Sequence, residues 1–412
     1  MSMVLPPNYF PTPSPPRYSY LLPEGEETVE FTPRGNAPTN VLVNITKTCS
    51  FLTIILKDQN PAEECPTYGR GSTIHGEIGL RSSASVLSVS IKLKGRLRVS
   101  ISDSGSATIP VVSESAVLWS RDSAHKDLCP SVLPFSIAFP TTFKHGDRVR
   151  SIPPSFSEAY YQLPAISAQC SYILKVTIHN SSKMAFWKPS RSYSLWLNYR
   201  PRTRPQRPVF HLDRFLATLK QIPEDWLELE STMRIRRTDS PDLKPISCRF
   251  FFPSVGAFGL SDTIPFHIQI SSSLASLRLL LSPEIPNSGT ERPSVRVFIS
   301  RQTMVEVNTR KCWRTATLVE GRVRAIAPPI YTTAVEGADT YVDWEGEVRV
   351  EKDMVQYGGF NIGTVIVKDY IVFAITPPNP RSCPLLAHQH SVPIKLVTDV
   401  WTDGSTSHPL DT

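Results

Sequence analysis

The chain has 412 residues, of which 40% are hydrophobic and 20% charged, and its formal net charge is +7. These values are typical of globular proteins, and the length accommodates two domains of about 150 residues each. No run of about 18 apolar residues occurs, and the amino terminus lacks a charged segment followed by an apolar one, so we expect neither a transmembrane nor a secreted protein. A cytoplasmic location is therefore predicted.

Residues 1–38 are predicted to form a disordered leader, because seven prolines fall within the first 23 residues and an acidic patch follows. The leader repeats the pattern Pro-Pro-x-Tyr, and its two copies consist of Pro6, Pro7 and Tyr9, and of Pro15, Pro16 and Tyr18. Adjacent prolines hold the backbone in the polyproline II conformation. The segment therefore loses little conformational entropy when a partner binds it. WW domains bind such segments in an aromatic-lined groove, and a second pocket takes the tyrosine.

A coincidence in a proline-rich leader is the alternative interpretation of this doubled pattern. With 38 prolines and 13 tyrosines in the chain, random placement gives about 0.1 match, and the local proline enrichment raises that value several-fold. Two copies in one short leader therefore favour a WW-domain ligand. A third copy, Pro328, Pro329 and Tyr331, lies between strand-like segments of the carboxyl-terminal half. A folded loop would hide it, so it is the weaker candidate.

Residues 39–199 read as a β-domain, and its clearest strand is LSVSIKLKGRLRVSI. Apolar residues from Leu87 to Ile101 alternate with serine, lysine and arginine, which predicts one buried and one solvated face. Gly95 interrupts the pattern and is expected at a kink or turn. The polar side carries a row of basic residues: Lys92, Lys94, Arg96 and Arg98. This row is a candidate contact face for phosphates of an anionic lipid or a phosphorylated tail. A sheet face that is basic only for solubility is the favoured interpretation.

Residues 200–245 are predicted to be a basic connector with a short helix. Arg200, Arg202, Arg204 and Arg207 are interrupted by prolines. A solvated connector is favoured over a contact with lipid or nucleic acid, and no nucleic-acid partner is expected. The only strong helical spacing is that of Leu212, Phe215, Leu216 and Leu219, which Pro223 ends; a second short turn is expected to start at Pro223 and bury Trp226.

Strand patterns return over residues 246–402 and a tail covers 403–412, so the sequence predicts an all-β protein of two sandwiches joined by the connector. Catalytic and phosphate-binding motifs such as GxSxG, HExxH and GxxxxGK are absent from the sequence. We therefore expect neither an enzyme nor a cofactor. His388 and His390 are too few for a metal site. The seven scattered cysteines are expected to be reduced and mostly buried.

Several segments resemble the arrestin family in the order in which they occur. TYGRGSTIHGEIGL followed by SVLSVSIKLKGRL, then LPFSIAFP, IPPSFSE and QCSYILKVTIH, resemble successive strands and turns of the amino-terminal arrestin domain. LSDTIPFHIQI, NIGTVIVKDYIVFAIT and SVPIKLVTD are similar to the second domain. The resemblance covers about residues 40–200 and 246–400. Each motif is moderately specific, and their order is the strong part.

The resemblance implies two arrestin-like β-sandwich domains without enzymatic activity that act as an adaptor. Within the family, the Pro-Pro-x-Tyr motifs select the α-arrestins, or arrestin-related trafficking adaptors. Those proteins recruit WW-domain HECT-type E3 ubiquitin ligases to membrane transporters and receptors for ubiquitination and endocytic trafficking. The expected partners are thus such a ligase and cytoplasmic segments of a membrane protein, with recruitment to the plasma membrane or endosomes. The alternative is an arrestin-fold sorting or signalling scaffold without ligase recruitment.

Overall fold

A computed structural model describes residues 29–31, 42–61, 63–121, 128–181, 190–209, 219–236, 240–281, 295–326, 340–351, 354–378, 380–381 and 383–402. Over these ranges the chain is built mainly from strands, with a short helix, α1 (Leu274–Leu281), and a helical segment at residues 219–221. None of the helices in these ranges is long and apolar enough to cross a membrane.

Two sheets face each other in the amino-terminal half. Its strands are β1 (Val29–Phe31), β2 (Val43–Thr48), β3 (Leu52–Gln59), β4 (Thr67–Tyr68), β5 (Thr73–Leu80), β6 (Val86–Ile101), β7 (Gly105–Ser120), β8 (Val132–Ala138), β9 (Thr142–His145), β10 (Arg148–Ser151), β11 (Phe156–Tyr160), β12 (Ile166–Asn180), β13 (Ser190–Tyr199) and β14 (Thr203–Pro205). One sheet has the order β4-β13-β12-β6-β7, with β11 paired to β12, and the other has the order β2-β3-β5-β8. Strands β9 and β10 form a separate hairpin.

The carboxyl-terminal half repeats this arrangement with two further sheets. Its strands are β15 (Trp226–Met233), β16 (Ile246–Pro253), β17 (Ala257–Gly259), β18 (Thr263–Ser272), β19 (Val295–Val307), β20 (Arg310–Glu320), β21 (Arg322–Ile326), β22 (Thr340–Arg349), β23 (Phe360–Asn361), β24 (Val365–Ile375) and β25 (His388–Val397). The sheet orders are β15-β16-β18-β22-β21 and β17-β25-β24-β19-β20, with β23 paired to β24. The predicted all-β fold with two sandwich-like halves is confirmed.

Strand β6 shows why the alternating pattern produces this fold. Its apolar residues from Val89 to Ile101 are buried, and those of β3 and β5 are buried in the same core. The strand continues through Gly95, so no turn forms there, and its register with β7 shifts between Gly95 and Arg96, as expected for an irregularity at this glycine. A Cβ atom at Gly95 would lie 2.6 Å from the ring of Tyr172 on β12 and 2.9 Å from Val111. Glycine is needed here because an aromatic ring occupies the space that a side chain would take.

An aromatic core fills the second sandwich. Phe250 and Phe252 of β16 are both buried, and the ring of Phe250 stacks on Phe373 of β24 with centroids 5.5 Å apart. The ring centroid of Phe266 on β18 lies 6.1 Å from that of Phe250. These rings link the two facing sheets, so burial of the aromatic run of β16 holds this half together.

The connector between the halves is more ordered than the sequence suggested. Residues 29–31, which lie in the predicted disordered leader, pair with Thr203–Pro205 of the connector as β1 and β14. Arg200 donates to Glu63 and Gln356, and Arg202 forms an ion pair with Asp399. These arginines therefore contact carboxylates that are distant in the sequence, while the side chain of Arg202 remains 43% exposed to solvent.

The predicted connector also contains a strand of the second sandwich. Strand β15 begins at Trp226 and pairs along its whole length with β16. The expected turn at Pro223 is confirmed as a 3-10 turn, and Trp226 after it is 7% exposed. Most of the helix predicted over residues 212–219 lies outside the described residues, whereas residues 219–221 are helical.

The two halves pack on each other through apolar and polar contacts. Val305 and Val365 of the second half belong to the hydrophobic cluster of the first half. The Tyr160 and Thr303 hydroxyls lie 3.1 Å apart across the junction. Asn308 donates to the carbonyl oxygen of Ser104 at 2.9 Å. The two halves are therefore joined by both apolar packing and hydrogen bonds.

Candidate binding surfaces

The three Pro-Pro-x-Tyr motifs lie outside the described residues. This applies to the pair at residues 6–9 and 15–18 and to the copy at 328–331. Their role as WW-domain ligands therefore stays a prediction from the sequence.

The predicted basic row lies on the outward face of the sheet formed by β7, β6, β12 and β13. Lys92, Lys94, Arg96 and Arg98 alternate with buried residues of β6, and successive members are separated by two residues, or about 6.6 Å. Antiparallel pairing places Lys175 of β12 directly opposite Lys92. We call these five residues the cationic sheet face. The sequence analysis missed Lys175, because only the register of β6 and β12 brings it into the row.

The neighbours of the cationic sheet face are neutral. Apart from the pair of Lys92 with Lys175, every residue opposite one of its cations on β7 or β12 is uncharged. These residues are Thr108, Pro110, Ser113 and Ser115 on β7, and Gln169, Ser171 and Ile173 on β12. Strand β13 adds Ser194 and Trp196, and the indole of Trp196 is 55% exposed. Over the described residues, none of the five cations forms an ion pair.

Basic residues on the other sheets contrast with this face. Arg296 on β19 binds Glu320 of the adjacent strand at 2.6 Å. Lys57 of β3 lies 2.6 Å from Glu77 of β5, and Arg249 contacts carboxylates of β15. Cross-strand carboxylates thus neutralise cations elsewhere, and cross-strand pairs of opposite charge stabilise a sheet. The cationic sheet face lacks such compensation among the described residues, which is typical of a surface that meets an anionic partner.

Mutual repulsion and partial burial act on the centre of this face. Partial burial, followed by the positive charges of Lys175, Lys92 and Arg96, lowers the pKa of Lys94. A shallow depression of about 180 Å³ lies here, lined by Lys94, Arg96, Arg98, Ser171, Ile173, Lys175 and Ser194. An anion bound in it would relieve the repulsion between the cations, so carboxylate or phosphate groups are the chemistry that fits.

The possible metal ligands and the thiols are scattered over the described part of the chain. No group of three or more metal-ligating side chains occurs there. His388 instead lies 2.9 Å from the hydroxyl of Ser231. All seven cysteines are free; Cys49 and Cys65 are half-buried and the other five are buried, as the sequence analysis predicted.

A buried ion pair lies beneath the junction of the two halves. Arg301 of β19 and Asp369 of β24 are 2% and 1% exposed, and the guanidinium donates to both carboxylate oxygens at 2.7 and 3.1 Å. Arg301 also donates to the carbonyl oxygen of Tyr357 and lies 4.8 Å from the centre of its ring. The Tyr357 hydroxyl in turn donates to Glu158 of the first half. The ion pair thus fixes a residue of the interface.

Comparison with protein-family models gives no match for this chain, and no curated protein matches it either.

Proposed function

We propose that this chain is an arrestin-like adaptor of the α-arrestin branch, which recruits a WW-domain HECT ubiquitin ligase to cytoplasmic segments of a membrane transporter or receptor. The observation that carries the proposal is the doubled Pro-Pro-x-Tyr pattern at residues 6–9 and 15–18. Polyproline segments of this kind are pre-organised WW ligands. The motifs leave the two sandwiches available for a second partner, as an adaptor requires.

The fold supports the family assignment at the level of architecture. Segments that resemble arrestin strands coincide with strands of both sandwiches: LPFSIAFP contains most of β8, QCSYILKVTIH lies in β12, LSDTIPFHIQI contains most of β18 and SVPIKLVTD contains most of β25. Each half contains two mainly antiparallel sheets that face each other, and the halves pack together. This agreement concerns the fold class; the adaptor role rests on the motifs.

The cationic sheet face is the proposed contact for the membrane protein. Its five positive charges lie without carboxylate neighbours on one sheet, so an acidic segment of a cytoplasmic tail or loop complements them. Contact with anionic lipid would add to this attraction near a membrane surface. In the proposed cycle the protein resides in the cytoplasm and is recruited to the plasma membrane or endosomes by its cargo.

The test is a titration of the full chain and of a peptide of residues 1–24 against the tandem WW domains of a HECT ligase. Two motifs on one leader can engage two WW modules, which raises the apparent affinity by about 10²- to 10⁴-fold when the spacing permits. Tyr9→Ala or Tyr18→Ala alone should remove that avidity, and the double variant should abolish binding. Tyr20→Ala is the matched control, because Tyr20 lies in the same leader outside both motifs.

Unchanged binding of the double variant would refute ligase recruitment through these motifs. The arrestin-fold sorting or signalling scaffold would then be the remaining candidate, and the cationic sheet face favours it because that surface does not depend on the leader. Tyr331→Ala is expected to leave WW binding unchanged, since the third motif is the weaker candidate.

A further inference from the structure

A cavity of about 680 Å³ lies where both sandwiches and the connector meet. Its lining from the amino-terminal half includes strand β10, the segment 152–154 and four residues around the start of the connector: Tyr199, Arg200, Pro201 and Thr203. Residues 356–362 and the Lys395–Leu396 pair of β25 line it from the carboxyl-terminal half. This volume lies within the range of about 300–1,000 Å³ that is typical of small-molecule sites.

Five basic residues from four separate segments line the cavity: Arg70, Arg148, Arg150, Arg200 and Lys395. Arg70 lies in the turn between β4 and β5, two arginines lie on β10, and Arg200 follows β13. None of the described residues in the lining is an aspartate or glutamate. Four of the positive charges come from the amino-terminal half and the start of the connector, and Lys395 comes from the carboxyl-terminal half.

One of these cations is held in place by neighbouring side chains, and the backbone of a second is fixed by a hydrogen bond. The guanidinium of Arg200 donates to both oxygens of Glu63, at 3.1 and 3.0 Å, and to the side-chain oxygen of Gln356 at 2.7 Å. Glu63 thereby neutralises one positive charge at the edge of the site. Lys395 belongs to β25, and its backbone N–H donates to the carbonyl oxygen of Gly256 at 2.8 Å. A ligand would therefore meet a partly pre-formed site, which lowers the ordering cost of binding.

Arginine is the residue best suited to bind phosphate, because its planar guanidinium donates two parallel hydrogen bonds to phosphate oxygens. Four of the five cations are arginines, and five cationic side chains outnumber the three acceptor oxygens of a single phosphate group. Apolar walls that include Ile152, Pro153 and Ile362 reduce the screening of these charges by water. We infer that the cavity binds a compact anion carrying two or more phosphate groups, either free in solution or as the headgroup of a lipid. This inference is independent of ligase recruitment.

The inference is tested by titrating the full chain with inorganic tripolyphosphate in a calorimeter. The variant is Arg70→Ser/Arg148→Ser, because both side chains are exposed and their loss leaves the cores intact. Lys92→Ser/Lys94→Ser is the matched control, since it removes two charges from the cationic sheet face. We expect submillimolar binding that is weakened by at least tenfold in the cavity variant and by less than twofold in the control.

The inference is wrong if the wild-type chain does not bind tripolyphosphate, or if the affinity of the sheet-face variant falls as much as that of the cavity variant. Hydrogen exchange on the wild-type chain gives a test that needs no substitution. Tripolyphosphate should slow exchange at residues 148–154 and 356–362, and slowing confined to β6 and β12 would place the anion elsewhere.

Vesicles distinguish the two sources of the phosphate groups. Binding to vesicles with phosphatidylinositol bisphosphate, but not to phosphatidylserine vesicles of equal charge, supports a headgroup ligand if tripolyphosphate competes. Binding of tripolyphosphate without binding to these vesicles supports a soluble ligand. Equal binding to both vesicles that tripolyphosphate does not displace contradicts a cavity site for lipid.

Discussion

Removal of one partner of the Arg301–Asp369 ion pair should destabilise the second sandwich strongly. In Asp369→Ala the guanidinium of Arg301 stays in a site that is 2% exposed and keeps one hydrogen bond, which it donates to the carbonyl oxygen of Tyr357. It loses both bonds to the carboxylate, at 2.7 and 3.1 Å. A buried charge without its counter-ion costs about 3–5 kcal/mol.

Double substitution separates the cost of the unpaired charge from that of lost packing. Arg301→Met/Asp369→Leu removes both charges and fills the site with apolar groups. Such replacements are often neutral or stabilising, because neither ion then has to leave water. The double variant should therefore be more stable than the single variant by several kcal/mol.

Urea unfolding, followed by circular dichroism and by tryptophan fluorescence, measures this difference. With a slope of about 2 kcal/mol per molar urea, the single variant should unfold at a midpoint roughly 1.5–2.5 M lower than the wild type. The double variant should unfold near the wild-type midpoint. Equal losses in the single and double variants would show that packing, and not the unpaired charge, determines stability at this site.

Three further perturbations follow from the local structure. Gly95→Ala should lower the free energy of unfolding in urea by about 1–3 kcal/mol, because its Cβ would lie 2.6 Å from the Tyr172 ring. Gly79→Ala is the control and should cost no more than about 0.5 kcal/mol, because the nearest atom to its Cβ would be 3.9 Å away. Equal costs would refute the steric argument. Burial raises the pKa of the Cys170 thiol to about 12, so a thiol reagent at about pH 8 should label the half-buried cysteines first and Cys170 only on unfolding; early labelling of Cys170 would contradict its burial. Burial, and then the charge of His390, lowers the pKa of His388. The folded state therefore binds fewer protons than the unfolded chain, and stability falls as the pH drops below about 6.5. His388→Gln should reduce this loss of stability when urea midpoints at about pH 7.5 and about pH 5.5 are compared, and an unchanged difference between the two midpoints would exclude His388 as its source.

Long strands were predictable because their information is local. In β6 every second residue is apolar from Val89 to Ile101, apart from Gly95, and the side chains of a strand alternate between its faces. The buried face and the row from Lys92 to Arg98 therefore followed from the sequence. The all-β class followed in the same way from the repetition of such segments. The function of Gly95 did not follow, since the ring of Tyr172 approaches it from a strand that is distant in the chain.

Errors in the sequence analysis concentrate in the connector. Its arginines and prolines are typical of a solvated segment, but Arg200 and Arg202 meet Glu63 and Asp399. Strand β15 was not recognised, because its alternation of Leu227 and Leu229 with Glu228 and Glu230 is short and lies beside a helix-like spacing. Pairing with β16 provides the hydrogen bonds that make it a strand.

The sequence alone determined the fold class, the paired Pro-Pro-x-Tyr motifs and the basic row of β6, because each depends on residues that are neighbours in the chain. The tertiary structure decided which distant charges share a site. Register with β12 added Lys175 to the cationic sheet face, and the packing of the two halves brought Arg70 and Lys395 to one cavity. Electrostatic interactions depend on distance in space, and the distance between residues 70 and 395 is fixed only when both sandwiches and the connector have formed.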